Sequence, residues 1–238
     1  VGLLNSNSNG ASGVNRLLAM LPKGEYERLL PSLKTVSLEL GEILYEPGDP
    51  IRYVYFPNDS IISLISKLEA SSLEVGMIGN EGMAGLAVFL GVNSSSTLAL
   101  VQGAGTAMRM SSAAVRREAD LHGDLHYLLH RYSHSLLIQI SQSSACNRFH
   151  LIDARLARWL LMTSDRLGAE QFPLTQSFLS TMLGVRREGV SKAAGTLRAS
   201  KLIRYSRGQI TILSRRRLEA RSCPCYAIVK AETDVYLN

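Results

Sequence analysis

The residues of this chain best suited to recognition chemistry fall in one run, Phe172-Pro173-Leu174-Thr175-Gln176-Ser177-Phe178-Leu179-Ser180-Thr181-Met182-Leu183-Gly184-Val185-Arg186-Arg187-Glu188-Gly189-Val190-Ser191-Lys192. Thr175 suits the N-cap of a short helix whose apolar face is Phe178, Leu179, Met182 and Leu183. Gly184 permits a sharp turn and Val185 plugs it. In the second helix Val190, Ala193, Ala194 and Leu197 share one side; Arg187, Glu188, Ser191 and Lys192 share another, because residues four apart are neighbours on a helix. A guanidinium or ammonium can donate to guanine O6 and N7, and a carboxylate can accept from cytosine N4. After the helix pair, Leu202 to Tyr205 and Gln209 to Leu213 read as two strands joined across Ser206-Arg207-Gly208, a basic hairpin. The pattern is that of a helix-turn-helix with a wing. The expected DNA contacts are Thr175, Gln176, Arg186, Arg187, Glu188, Ser191, Lys192 and Arg207. Gly189 and Gly195 weaken the second helix, each by about 1 kcal/mol relative to Ala.

Other chemistries find less support. Cys223-Pro224-Cys225 is one close pair with no partner pair, weak grounds for zinc and compatible with redox sensing. His122, His126, His130 and His134 stand four apart, but Gly123 interrupts the first step, and the row reads as a polar helix face. An N-terminal cysteine cluster for an iron–sulfur centre is missing, and no metal or other cofactor is expected. The sequence holds no convergent Ser/His/Asp set, no phosphate-binding Gly-x-x-x-x-Gly-Lys and no Gly-x-Gly-x-x-Gly turn, so it is not expected to be an enzyme. Three cysteines (Cys146, Cys223, Cys225) do not make a disulfide framework, and point to a reducing compartment.

The elements that must position these residues follow from charge and periodicity. Residues 1–145 carry 10 Lys/Arg against 13 Asp/Glu, whereas residues 146–238 carry 16 against 7. One half therefore suits a polyanion. No apolar run nears the ~20 residues that span a bilayer, so no membrane partner is expected. The first residues, VGLLNSNSNGASG, lack the basic start of a secretory signal. Fourteen of 19 glycines precede residue 124, a sign of short strands and tight turns. Strands are expected at Thr35–Leu38, Ile43–Tyr45, Tyr53–Phe56, Ile61–Ile65, Leu73–Ile78, Thr97–Val101 and Thr106–Met110, forming a small antiparallel barrel or roll. From Asp124 the period lengthens. Leu125, Leu129, Tyr132, Leu136 and Ile140 form one stripe of a helix reaching about Phe149, read as the seam of a homodimer. A second helix, Ile152 to Leu167, ends at Gly168.

From roll to long helix to winged helix-turn-helix, the chain resembles the Crp/Fnr family of bacterial transcription regulators over roughly residues 15–222. Gly41-Glu42-Ile43-Leu44-Tyr45-Glu46-Pro47-Gly48-Asp49 is similar to the family's early strand-and-turn signature. Arg187-Glu188-Gly189-Val190-Ser191-Lys192 is similar to its recognition core, Arg-Glu-x-Val-x-Arg. Lys192 in place of Arg removes a bidentate fork. The resemblance implies an α+β fold with an N-terminal antiparallel β-roll of the cyclic-nucleotide-binding kind, a long dimerisation helix and a C-terminal winged helix-turn-helix. The expected divisions are a disordered tail (1–14), the roll (15–121), the dimerisation helix (122–149), the DNA-binding domain (150–222) and a C-terminal tail (223–238). It also implies a cytoplasmic homodimer on a palindromic operator in double-stranded DNA, with RNA polymerase as a further partner. Cyclic-nucleotide-binding relatives carry Gly-Glu and, some ten residues on, Arg-Ser/Thr. Here Leu86 stands at the Glu position and no Arg occurs between Arg52 and Arg109. Cyclic AMP and cyclic GMP are therefore not expected, since a buried phosphate needs a charged partner. Gly85, Leu86, Ser96 and Thr97 are the positions where an unknown effector would sit. The rival reading is a ligand- or metal-sensing protein whose basic domain binds another protein.

Overall fold

The computed structural model describes residues 14–69 and 71–237. Two short helices lead in, α1 (Arg16–Ala19) and α2 (Lys23–Leu29), followed by strands β1 (Lys34–Leu38), β2 (Ile43–Tyr45), β3 (Tyr53–Pro57), β4 (Ile61–Leu68) and β5 (Ser71–Ile78). A one-turn helix α3 (Leu86–Phe89), strands β6 (Leu98–Gly103) and β7 (Gly105–Ser111) and helix α4 (Ser112–Ala119) complete the N-terminal half. Its strands form two antiparallel sheets, ordered β1-β7-β3 and β2-β6-β4-β5. Their inner faces enclose Val54, Phe56, Ile62, Ile78, Met83, Val88, Ala99 and Val101, all nearly free of solvent. All seven expected strands form, within a few residues of the expected limits. The expected tail falls outside the described residues except for Val14.

Next come α5 (Asp124–Phe149) and α6 (Ile152–Leu167), the latter closed by Gly168 in the left-handed conformation. Strand β8 (Gln171–Pro173), helices α7 (Gln176–Leu183) and α8 (Arg187–Ala199), and strands β9 (Ile203–Ser206) and β10 (Gln209–Ile212) build the C-terminal domain, with sheet order β8-β10-β9. Helices α9 (Arg215–Arg221) and α10 (Cys225–Tyr236) end the fold.

Two expectations are corrected here. The stripe assigned to a dimer seam faces inward. Leu125, Leu129, Tyr132 and Leu136 are buried in the core of their own roll, and Ile140 packs half-buried at its margin. The Tyr132 hydroxyl donates to the Met83 carbonyl at 2.9 Å. The roll's own apolar rim needed covering, and α5 covers it. The second correction is the C-terminal tail, which is helical. Tyr226, Val229 and Tyr236 are buried at helical spacing. The α10 helix lies along α5, where Tyr236 meets Tyr132 and donates to the Glu81 carbonyl. His134 faces Glu232 at 3.7 Å.

Candidate nucleic-acid interface

Helix α7 begins where the Thr175 side chain accepts from the Phe178 amide at 3.1 Å, and ends at Gly184, whose φ of +60° suits glycine. A side chain at Gly184 would also collide with Leu73 of β5, 2.8 Å away. Val190, Ala193, Ala194 and Leu197 bury one face of α8 against α6 and α7. Gly189 lets the start of α8 approach Ile152, which a Cβ would meet at 3.2 Å, whereas Gly195 has open space around it. The other face is exposed and presents Arg187, Glu188, Ser191 and Lys192, with Arg186 at the N-cap. Ser191 donates to Gln176 at 2.9 Å, tying the start of α7 to the middle of this face.

The wing turns at Arg207 and Gly208, with φ of +49° and +73°, the paired positive values of a tight two-residue hairpin. Arg207 is exposed at the tip. The Gly208 carbonyl accepts from the Leu174 amide at 2.7 Å, and the Tyr205 hydroxyl donates to the Leu174 carbonyl at 3.0 Å. These bonds fix the wing against the residue next to Thr175. Thr175, Arg186, Arg187, Glu188, Ser191, Lys192 and Arg207 are exposed on this domain and Gln176 is half-buried; the Gln176–Ser191 bond and the bonds of the wing to Leu174 join their three elements. Among them only Glu188 is acidic.

That domain is docked on the roll. Ile61, Ile65, Met77 and Leu98 leave the roll to join the core beneath α6, α7 and α8. Gln102 donates to Thr163 at 3.1 Å, and Arg166 pairs with Glu81 at 2.8 Å, both side chains being 8% exposed. Glu74 accepts from Ser63 at 2.7 Å and from the Trp159 indole at 3.1 Å. Burial nevertheless pushes its carboxyl up to about 7, against the opposing pull of these bonds and of Arg158 and Arg166.

The residues expected near an effector are less tightly grouped. Gly85 caps α3 with φ of +95° and Leu86 opens that helix. Ser96 is exposed and Thr97 half-buried ahead of β6, where Thr97 bonds to Ser95 at 2.9 Å. Tyr45 is buried, and burial raises its hydroxyl to about 12 against the opposing pull of the Gly85 backbone.

Sequence reasoning missed one cluster. Cys146 and His150, one helical turn apart at the end of α5, meet Cys223 and Cys225, and their ligand atoms all lie within 4.8 Å of one another. The expectation that the Cys223–Cys225 pair has no partner is corrected; the four-residue spacing of Cys146 and His150 was the overlooked signal. Hydrogen bonding from Cys223 draws the Cys146 thiol down to about 5, with the Arg158 cation assisting against burial. Three members of the histidine row meet: His126 bonds to His130 at 3.0 Å, and His122, although outside the helix, reaches His126 at 3.5 Å, whereas His134 turns to Glu232.

Comparison with known proteins agrees with this geometry. Residues 154–221 match the model of the Crp-like helix-turn-helix domain. Among solved structures, FixK2 from Bradyrhizobium japonicum superposes with a TM-score of 0.69 at 18% identity, covering 80% of this chain and 98% of that one. The c-di-GMP-responsive global regulator CLP from Xanthomonas campestris gives 0.65 at 17%, with coverages of 81% and 100%. A CRP-family transcriptional regulator from Thermus thermophilus gives 0.65 at 17%, with 79% and 96%. No curated protein matches in sequence. The C-terminal unit is a Crp-like helix-turn-helix domain, carried on a chain with the fold of Crp/Fnr transcriptional regulators.

Proposed function

We propose that the protein is a homodimeric, sequence-specific regulator of transcription that reads a two-fold symmetric DNA site with α8 and positions itself with the wing. The observation that carries this reading is the exposed face of α8, where Arg187, Glu188, Ser191 and Lys192 stand free of the core that holds the helix. Arg187 and Glu188 lie in its first turn, where a major-groove helix meets base edges. Thr175, at the amino end of α7, and Arg207, at the wing tip, suit phosphate.

The dimer forms through the outer face of α5, centred on Leu137, which is 60% exposed, with Ser133, Ser141 and Ser144 alongside. Ile140 borders this face. The roll serves as an effector domain that does not bind cyclic AMP or cyclic GMP, since Leu86 and the stretch from 53 to 108 offer a phosphate no guanidinium, and its one cation, Lys67, is paired with Glu46. A DNA partner implies a cytoplasmic protein, and the function requires no catalysis. RNA polymerase remains the natural second partner of such a regulator.

The test is selection of random duplexes by the full chain, followed by sedimentation of the chain alone and on the selected duplex. Enrichment of a palindrome with half-sites about one helical turn apart, bound by two chains, is expected. Leu137→Asp should yield a monomer. Absence of enrichment, or a wild-type monomer at micromolar concentration, contradicts the proposal.

A further inference from the structure

Outside the DNA-binding face, the densest set of metal-ligating side chains is Cys146, His150, Cys223 and Cys225. Its parts come from distant places: a Cys-x-x-x-His turn at the end of α5, and a Cys-Pro-Cys corner between α9 and α10. The three cysteines are buried, with 0%, 3% and 3% exposure for Cys146, Cys223 and Cys225, and His150 is half-buried. Cys146 Sγ lies 3.4 Å from Cys223 Sγ, and Cys225 Sγ lies 3.6 Å from His150 Nδ1. In a tetrahedron with Zn–S of about 2.3 Å and Zn–N of about 2.0 Å, the ligand–ligand edges are about 3.5–3.8 Å. The observed separations are near these edges. They are well beyond an S–S bond of about 2.05 Å.

A second observation points the same way. Arg155 and Arg158, each 6% exposed, make no ion pair among the described residues, and the Nε of each is buried without a hydrogen-bond partner. Burial pulls the Arg155 guanidinium below its ordinary value, and Cys146 and Cys223 are the neighbours that oppose that shift. Two guanidiniums held out of water need an anion nearby.

We propose that Cys146, His150, Cys223 and Cys225 form a mononuclear Zn²⁺ site that clamps the end of α5 to the corner joining the DNA-binding domain to α10. Zn²⁺ displaces three thiol protons to solvent, and with a neutral imidazole the centre carries a net charge of −1, an anion for Arg155 and Arg158. Four protein ligands and deep burial mark a closed, structural site. Thiolate and imidazole ligands in a tetrahedral arrangement suit zinc over magnesium or calcium. The proposal does not depend on the DNA-binding reading, because its readout is metal content.

The full chain is purified under reducing conditions without a metal-chelating tag, and its metal is measured by mass spectrometry. One zinc per chain is expected. The same chain stripped of metal and titrated with Co²⁺ should show the intense absorption of a tetrahedral thiolate site. His150→Ala removes a half-buried ligand and leaves the core intact; it should weaken metal binding at least tenfold. Cys223→Ser should do the same and diminish the thiolate-to-cobalt band. His126→Gln with His130→Gln should change neither. A chain without zinc and without a tetrahedral cobalt spectrum overturns the proposal. So does metal lost on changing His126 and His130 but retained on changing Cys223, or a Cys146–Cys223 disulfide that persists in the presence of reductant and excess zinc.

Discussion

Glu74 shows how one buried carboxyl can couple solution conditions to domain docking. It belongs to β5 of the roll yet accepts from Trp159 of α6 in the DNA-binding half. With its folded-state value raised to about 7, the folded protein binds more protons than the unfolded chain between about pH 4.5 and 7. The contribution of this group to stability is therefore fully present at the acid end of that window and declines as pH rises through 7. Denaturant unfolding across this range should show a loss on the order of 1–3 kcal/mol that Glu74→Gln removes, since glutamine keeps an oxygen for the Trp159 indole and an amide that can donate to the Ser63 hydroxyl, without a charge to bury. An unchanged pH slope in Glu74→Gln would show that the carboxyl is ionised without penalty.

At the scale of elements, α10 replaces an expected tail with a packed helix. Tyr236 is 3% exposed against Tyr132, and its hydroxyl reaches the Glu81 carbonyl. Tyr236→Ala should cost about 3 kcal/mol through the space it leaves, and Tyr236→Phe about 1 kcal/mol through the missing hydrogen bond. Equal, negligible costs in thermal unfolding would mean that α10 does not hold the fold together. The two long helices were legible because their apolar spacing is sustained over several turns, with Gly168 marking a clean stop. The roll's strands were legible from alternating apolar runs between strong turn formers. What α5 packs against was not, because an apolar stripe states that a face is buried and not by what. The helix-turn-helix residues were legible as a local pattern. The Cys146–His150–Cys223–Cys225 cluster was not, because its two halves lie over 70 residues apart and only the fold brings them together.

For the whole molecule, two cores are laid across the domain boundary. One fills the roll and takes in α5 and Tyr236; the other begins on the outer side of β4 and β5 and continues through α6 to the wing. The buried Arg166–Glu81 pair and the Gln102–Thr163 bond sit at that junction. With the turn between α7 and α8 resting on Leu73 of β5, the outer face of α8 stays exposed, and Arg187 and Arg207 stand on separate elements. The proposed roles, base reading by α8 and positioning by the wing, can therefore be separated by a binding series on the selected duplex and on a scrambled one, at several salt concentrations. Arg187→Ala should cost about 1–3 kcal/mol per half-site on the selected duplex only, and relax preference at one base pair. Arg207→Ala should weaken both duplexes alike and reduce the salt slope by about 1 for each phosphate no longer neutralised. If Arg187→Ala lowers affinity for both duplexes by the same factor, α8 does not read sequence through this face, and the central claim is contradicted.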